Sequence, residues 1–492
     1  MHLFRWPALL AVAALLFPGQ AAAYLDLAAA SVEKLDNGLT VIVLEDPSFP
    51  VVSVQMLYRS GAIDEVSGKT GLAHFLEHMA FRDSENFPDT DLVSSIYAVG
   101  GEWHGYTWLD QTTYFATVPV ADLGLLLRIE ADRMARLEIP AAMVEAEAGA
   151  ILSEMHGYEN DPATVLQDYV LYLTFLAHPY RNNTIGWEND VLAITHSDLV
   201  EFYQANYRPG NAVLAIVGDV KKDAVMQQVR HLFGQVKSRP VPAARYTPEP
   251  VQTGERRVLI HGALDRKYFK IAYRAPSVSS PDFAAFLLTQ ELLSAGSGVS
   301  FLQNDWGTPA RPGAALAGIA EDLTTWFPPS EQDYVFTING SIPAQGREEE
   351  IEAAIDTGMG ALRARLQTDS QSAGEALEQA RARVIRELTF DVQTTEDAAH
   401  QLAFFAGMDA LDVLTDLPQA LRSVSVADIN RVLDRYLDKD RRVVGWYLPA
   451  SEDTARREQV GPTGSAPVTQ PEIAAAPGPK EAARPALLKH LS

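Results

Sequence analysis

Residues 71–81 read "GLAHFLEHMAF", two histidines and a glutamate set inside an apolar run. On a helix, positions four apart stack on one face, and position i+3 lies beside them. His74 and His78 therefore point the same way, with Glu77 at the edge of that face. The chain has only 11 histidines in 492 residues, so two of them one helical turn apart need a reason. Two imidazoles at this spacing can chelate one zinc ion, and a nearby carboxylate that is not a ligand can act as base. The order H-x-x-E-H is the inverse of the commoner H-E-x-x-H. The competing reading is a helix face that is merely polar.

A catalytic zinc needs a third protein ligand and an open position. The stretch "VEAEAGAILSEMHGYENDP" (144–162) is the natural source. It reads as a helix in which Glu147 and Glu154, seven apart, share a face two turns apart. Composition does not choose between them, nor does it remove His156.

Around these segments the pattern alternates between strand and helix. Residues 37–60 read as two β-rich runs about a Pro-containing turn, and 112–120 as another strand. Residues 121–139, 141–156 and 196–207 read as helices, and 211–220 as a buried strand. A repeat is also present. "SDLVEFYQANYRPGNAVLAIVGD" (197–219) matches "ADINRVLDRYLDKDRRVVGWYLP" (427–449) at one constant offset, pairing Asp198 with Asp428 and Leu199 with Ile429. "VSVQMLYRSGAI" (52–63) has its counterpart in "KYFKIAYRAPSV" (267–278). The chain thus predicts two copies of one α+β unit, 24–235 and 256–450, joined by a Pro-rich linker at 236–255. Beyond 451 the composition turns to Ala, Pro, Gly and Thr, which predicts a disordered tail over 451–492.

Composition narrows the function. The formal charge is −24, which argues against nucleic acid and suits a basic or neutral peptide ligand. There is no cysteine, hence no disulfide and no thiolate ligand or nucleophile. Residues 8–17 form a ten-residue apolar run, short for a bilayer, followed by "AAA" at 21–23. This reads as a secretory leader over 1–23, and no later stretch is long and apolar enough to span a membrane.

With these motifs assembled, the sequence resembles the inverted-motif zinc peptidases that include pitrilysin, insulin-degrading enzyme and mitochondrial processing peptidase, and within them the processing-peptidase branch. The resemblance covers about 24–450 and rests on "HFLEH" (74–78), "EAGAILSEMHGYENDP" (147–162), "HPYRNNTIGWENDV" (178–191) and "FYQANYRPGNAVLAIVGDV" (202–220). It implies an α+β fold of two homologous α/β-sandwich units, each a mixed, largely antiparallel sheet with packed helices, forming half of a clamshell. The zinc would lie in the N-terminal unit, and the C-terminal unit would close over substrate. The resemblance selects Glu154 as third ligand beside His74 and His78, with one Zn2+ per chain. It makes Glu77 the catalytic base and Glu147 a supporting acid behind a histidine ligand.

Two departures stand out. In "GGEWHGYTWLDQTTY" (100–114) the family commonly has Asn-Ala where this chain has His104-Gly105. His104 is therefore a candidate for holding substrate backbone, on a loop expected near the zinc. The family's active members also carry an Arg and a Tyr seven apart in the C-terminal unit. The corresponding region, 294–318, offers Arg311 followed seven residues on by Gly318. Arg266 and Tyr273 have the spacing but sit in a strand, where an odd separation puts them on opposite faces. The implied assembly is a heterodimer whose paralogous subunit brings the Arg-Tyr pair. The expectation is an exported zinc endopeptidase of a Gram-negative periplasm that cuts unfolded peptides. The alternatives are a non-catalytic scaffold subunit, for which Glu77 would have no use, and a dedicated maturation peptidase for one precursor.

Overall fold

The computed structural model describes residues 26–450 apart from 89–90, 241–245, 295–307 and 321. The expected leader at 1–23 and the tail at 451–492 lie outside the described residues, as does much of the 294–318 region. Among the described residues, no helix is long and apolar enough to cross a membrane.

Val, Ile and Leu dominate the central strands, and the described strands form two six-stranded sheets and one short pair, Asp83–Ser84 with Leu137–Glu138. The first contains β1 (Ser31–Lys34), β2 (Thr40–Glu45), β3 (Val51–Tyr58), β4 (Glu102–Thr107), β5 (Thr112–Pro119) and β6 (Ala212–Gly218), in the order β1-β2-β6-β3-β5-β4. The second contains β7 (Arg256–Gly262), β8 (Arg266–Ala275), β9 (Thr308–Pro309), β10 (Thr324–Trp326), β11 (Tyr334–Pro343) and β12 (Arg442–Pro449), in the order β9-β10-β11-β8-β12-β7. Each sheet has one parallel pair, β2 with β6 and β7 with β12, and the remaining pairs are antiparallel.

The internal repeat extends to hydrogen-bond register. Tyr58 of β3 faces Ala212 of β6, and Tyr273 of β8 faces Arg442 of β12. The helices preceding β6 and β12 begin alike as well. The side chains of Thr195 and Asp198 cap one by reciprocal bonds, and those of Ser425 and Asp428 cap the other. The matched aspartates are thus helix-start signals that recur because the local geometry recurs.

Helices cover both faces of the first sheet. The ones that matter below are α1 (Leu72–Met79), α2 (Leu123–Arg136), α3 (Ala141–Glu159), α4 (Pro162–Thr174), α5 (His196–Asn206), α6 (Thr395–Gly407) and α7 (Val426–Tyr436). Successive strand residues point to opposite faces. Val41 and Val43 join one core with α1, α2 and α5, while Ile42 and Leu44 join another with Leu402 and Phe405 of α6. Burial on both faces is why these strands read as continuous apolar runs rather than alternating ones.

The two halves are cross-braced. Helix α6, from the second half of the chain, packs on β3 and β6 of the first sheet. Helix α4, from the first half, packs on β8 and β12 of the second, through Leu166 and Val170 against Ala272 and Val443. Glycines make both crossings possible. A Cβ at Gly407 would lie 2.8 Å from Leu57 Cδ2, and one at Gly445 would lie 2.4 Å from Val170 Cγ2. Neither brace was foreseen from the sequence, because periodicity shows that a face is apolar and not which sheet it meets.

Candidate metal centre

Helix α1 has only two turns, and its surroundings fix where it starts. Gly71 precedes it at φ +84°, and a Cβ there would lie 2.4 Å from the Ile185 carbonyl. Its apolar side (Leu72, Phe75, Leu76, Met79) is buried in the core of the first unit. That leaves His74 and His78 half-buried on the opposite side, facing α3.

From α3, Glu154 reaches both imidazoles. Its Oε2 is 3.7 Å from His74 Nε2 and 3.4 Å from His78 Nε2. The two rings stand 4.6 Å apart, inclined by 74°. One ligand atom from each of the three residues lies within 4.8 Å of the others, and among the described residues no other trio of metal-binding side chains does so. Tyr158, one turn further along α3, donates to Glu154 Oε1 at 2.9 Å and leaves Oε2 turned to the histidines. His156 is exposed and stays outside the group.

Glu147 lies two turns before Glu154 and contacts the far side of His78. Its Oε1 is 2.9 Å from His78 Nδ1, and its Oε2 accepts from Arg82 Nε at 2.9 Å and Nη2 at 2.7 Å. A carboxylate on Nδ1 fixes the tautomer that leaves Nε2 free as a ligand. His74 has no such support: its Nδ1 is buried without a hydrogen-bond partner. Arg82, one helical turn beyond His78, was not read from the sequence, although an i+4 cation behind a candidate ligand was visible there.

Glu77 is only 7% exposed. Thr107, at the end of β4, donates to its Oε2 at 2.7 Å. Burial pushes the carboxyl up to about 7, against the pull of that bond. Burial drives His74 down to about 4, helped by the neighbouring His78. Burial also opposes charge on His78, but bonds to Glu147 and Glu154 outweigh it and lift the ring to about 9. The hydrogen bond from His78 is the main influence holding Glu154 down at about 2. A cation seated among these groups would take the place of the proton that His78 otherwise holds.

His104 does not join this group. It sits in a strand, β4, rather than on the expected loop. Alternation turns Gly105 and Thr107 toward Glu77 and His104 toward Phe115, whose ring lies 5.3 Å away. His104 is not among the residues lining the neighbouring cavity. The glycine beside it has a local reason: a Cβ at 105 would lie 2.5 Å from Phe81 Cζ. Tyr273 is buried in the second sheet and its hydroxyl meets Met359 Sδ; Arg311 is exposed beside Glu387. Neither lines the cavity.

That cavity, about 850 Å3, is bordered by His74, Glu77, His78 and Glu154. It gives a bound cation the open side that a catalytic site needs. Two imidazole nitrogens and one carboxylate make a donor set that fits zinc. The cavity wall also carries Glu159, Asp161, Asp168 and Glu188, with no Lys or Arg among the described lining residues.

Known proteins share this fold and much of this sequence range. Residues 40–187 match the family model described as insulinase (peptidase family M16), and residues 193–370 match the one described as the peptidase M16 inactive domain. A zinc protease of Helicobacter pylori, PqqE, is 24% identical over 84% of this chain and 91% of its own length. A probable mitochondrial-processing peptidase subunit β of Arabidopsis thaliana is 29% identical over 53% of this chain and 50% of its own. Among solved structures, a protease from Helicobacter pylori superposes with a TM-score of 0.77 at 22% identity, covering 85% of this chain and 99% of that one. The first half of the periplasmic protease PqqL of Escherichia coli gives 0.65 at 16% identity, covering 90% and 98%. The complete PqqL chain is matched over 52% of its length, so this chain has the extent of one of its halves. The folds agree and the matched regions take in every residue of the histidine–glutamate cluster, so the chain belongs to peptidase family M16.

Proposed function

We propose that this protein is an exported zinc endopeptidase that cleaves unfolded peptides, and that it is the metal-bearing member of a two-subunit enzyme. The observation that carries the reading is the convergence of His74, His78 and Glu154, with Glu77 beside them, on one open cavity. Those three side chains would hold the ion. Zinc bound there supplies the Lewis acidity that makes water a nucleophile near neutral pH and polarises a peptide carbonyl. Glu77 accepts the proton of the attacking water and returns it to the leaving amine. Thr107 holds one oxygen of Glu77 and leaves Oε1 for that exchange. Glu147 and Arg82 keep the His78 ring turned toward the site.

The substrate is an extended chain. Strand β4 is an outer strand of its sheet among the described residues, so one side of its backbone is open to pair with a peptide. It ends at Thr107, next to the base. The carboxylates of the cavity wall favour a basic side chain near the cleaved bond.

The absence of the family's Arg-x6-Tyr from 294–318 supports a second subunit, as does the match to half of PqqL. The leader-like first 23 residues support export, and a similar fold occurs in a periplasmic protease. The test uses an unstructured peptide rich in Lys and Arg. Glu77→Gln should keep its zinc and lose cleavage, and a variant that still cuts would remove Glu77 from its role. Full turnover by the purified chain alone would refute the second subunit.

A further inference from the structure

Helix α1 carries two metal-binding side chains and the base in eight residues, too short a helix to hold itself in water. Both of its ends meet a buried ionisable side chain. At the N-terminus, Glu65 accepts from the Gly71 amide through Oε2 at 2.9 Å and from the Ala73 amide through Oε1 at 2.8 Å. These are two of the amides that a helix start leaves without internal partners. At the C-terminus, Arg133 of α2 donates Nε to the Ala80 carbonyl at 3.2 Å. Arg133 is 2% exposed, pairs with Glu130, and lies over the Tyr114 ring at 4.2 Å. Burial pushes the Glu65 carboxyl up to about 8, so its hold on the helix start rests on the two amide bonds, whereas Arg133 carries the charge that complements the C-terminal end of the helix dipole.

We propose that Glu65 and Arg133 are positioning residues for the metal site, holding α1 at the height and rotation that bring His74 and His78 onto Glu154. Neither touches the ion or the substrate. The geometry favours this over simple helix stabilisation. Ala73 is adjacent to His74, so one Glu65 oxygen fixes the backbone immediately before a ligand. Ala80 lies two residues beyond His78, so Arg133 fixes the backbone just after the other. A slip of α1 by a fraction of a turn would separate both imidazoles from a carboxylate anchored on a different helix. A carboxyl group whose two oxygens each accept an N–H is not replaced by an amide, whose NH2 would face one of those donors.

This inference rests on the reading of His74, His78 and Glu154 as ligands. The experiment is a zinc competition titration against a chromophoric chelator, with the purified full chain as wild type, Glu65→Gln and Glu65→Asp. A core variant of the second half, Ile429→Val, serves as the stability control. Wild type should bind one zinc. Glu65→Gln should bind about tenfold more weakly, the lower end of what lost ligand support costs. Glu65→Asp should recover part of the loss, and Ile429→Val should leave affinity unchanged. Glu65→Gln at wild-type affinity would overturn the proposal and leave the metal site standing, whereas wild type that binds no zinc would overturn the site itself. If Glu65→Gln does not fold, Glu65→Asp and Arg133→Lys decide: weakened binding supports the proposal, and wild-type affinity in both overturns it.

Discussion

Replacing Glu147 by Gln tests how the site is built. The side chain is 3% exposed and accepts from two sources at once, His78 Nδ1 at 2.9 Å and Arg82 at 2.9 and 2.7 Å. Gln has one carbonyl oxygen. Turned to His78, it points its NH2 at the Arg82 guanidinium; turned to Arg82, it points the NH2 at the His78 N–H. Either way a charge-assisted bond is lost in a buried place, a change of about 1.5–3 kcal/mol. At about 1.4 kcal/mol per decade, that corresponds to a zinc affinity roughly 10- to 100-fold weaker. The assay is the dissociation constant from chelator competition, with circular dichroism to show that the metal-free fold is retained. An affinity within twofold of wild type would show that Glu147 does not act through His78, and the argument from geometry would fail.

Thr107→Val keeps the shape and removes the donor to Glu77 Oε2. With the second subunit present, peptide hydrolysis should fall about tenfold with zinc content unchanged, and an unaltered rate would show that the bond does not position the proposed base. A second prediction concerns pH. Burial pushes Asp110 up to about 7, against bonds from Tyr180 and the Glu331 amide. The native state therefore holds a proton that the unfolded chain releases near 3.8. The stability due to this proton is full below about pH 4 and is lost as pH rises toward 7. Asp110→Asn, measured in chelator, should show a drop in Tm between pH 5 and pH 8 that is smaller than wild type by a few degrees; an equal drop would refute the assignment.

The sequence carried the local features well and the long-range ones poorly. His74, Glu77 and His78 were legible because a single helical turn sets their relation. The repeat was legible because the offset is constant within its helix–strand segment and the helices start with the same capping chemistry at Asp198 and Asp428. The third member of the candidate metal group was not, since Glu147 and Glu154 share a face of one helix and only the resemblance separated them. The structure gives each a place: one meets Nδ1 of His78, the other Nε2. Strand β4 escaped notice because its segment, "EWHGYT", has a glycine and no aliphatic run. That oversight put His104 on a loop near the site, when alternation along the strand turns it to the other face. Glu65 and Thr107 were invisible for a related reason. Each acts on α1 from a separate element, and nothing in local spacing records which carboxylate will meet which amide.

The most direct test is an anomalous difference map at the zinc absorption edge from crystals grown with the metal. A single peak should lie about 2.0–2.2 Å from Nε2 of His74, Nε2 of His78 and a carboxylate oxygen of Glu154, with a fourth position open to the cavity. A peak elsewhere, or none beside these three side chains at full zinc loading, would contradict the account.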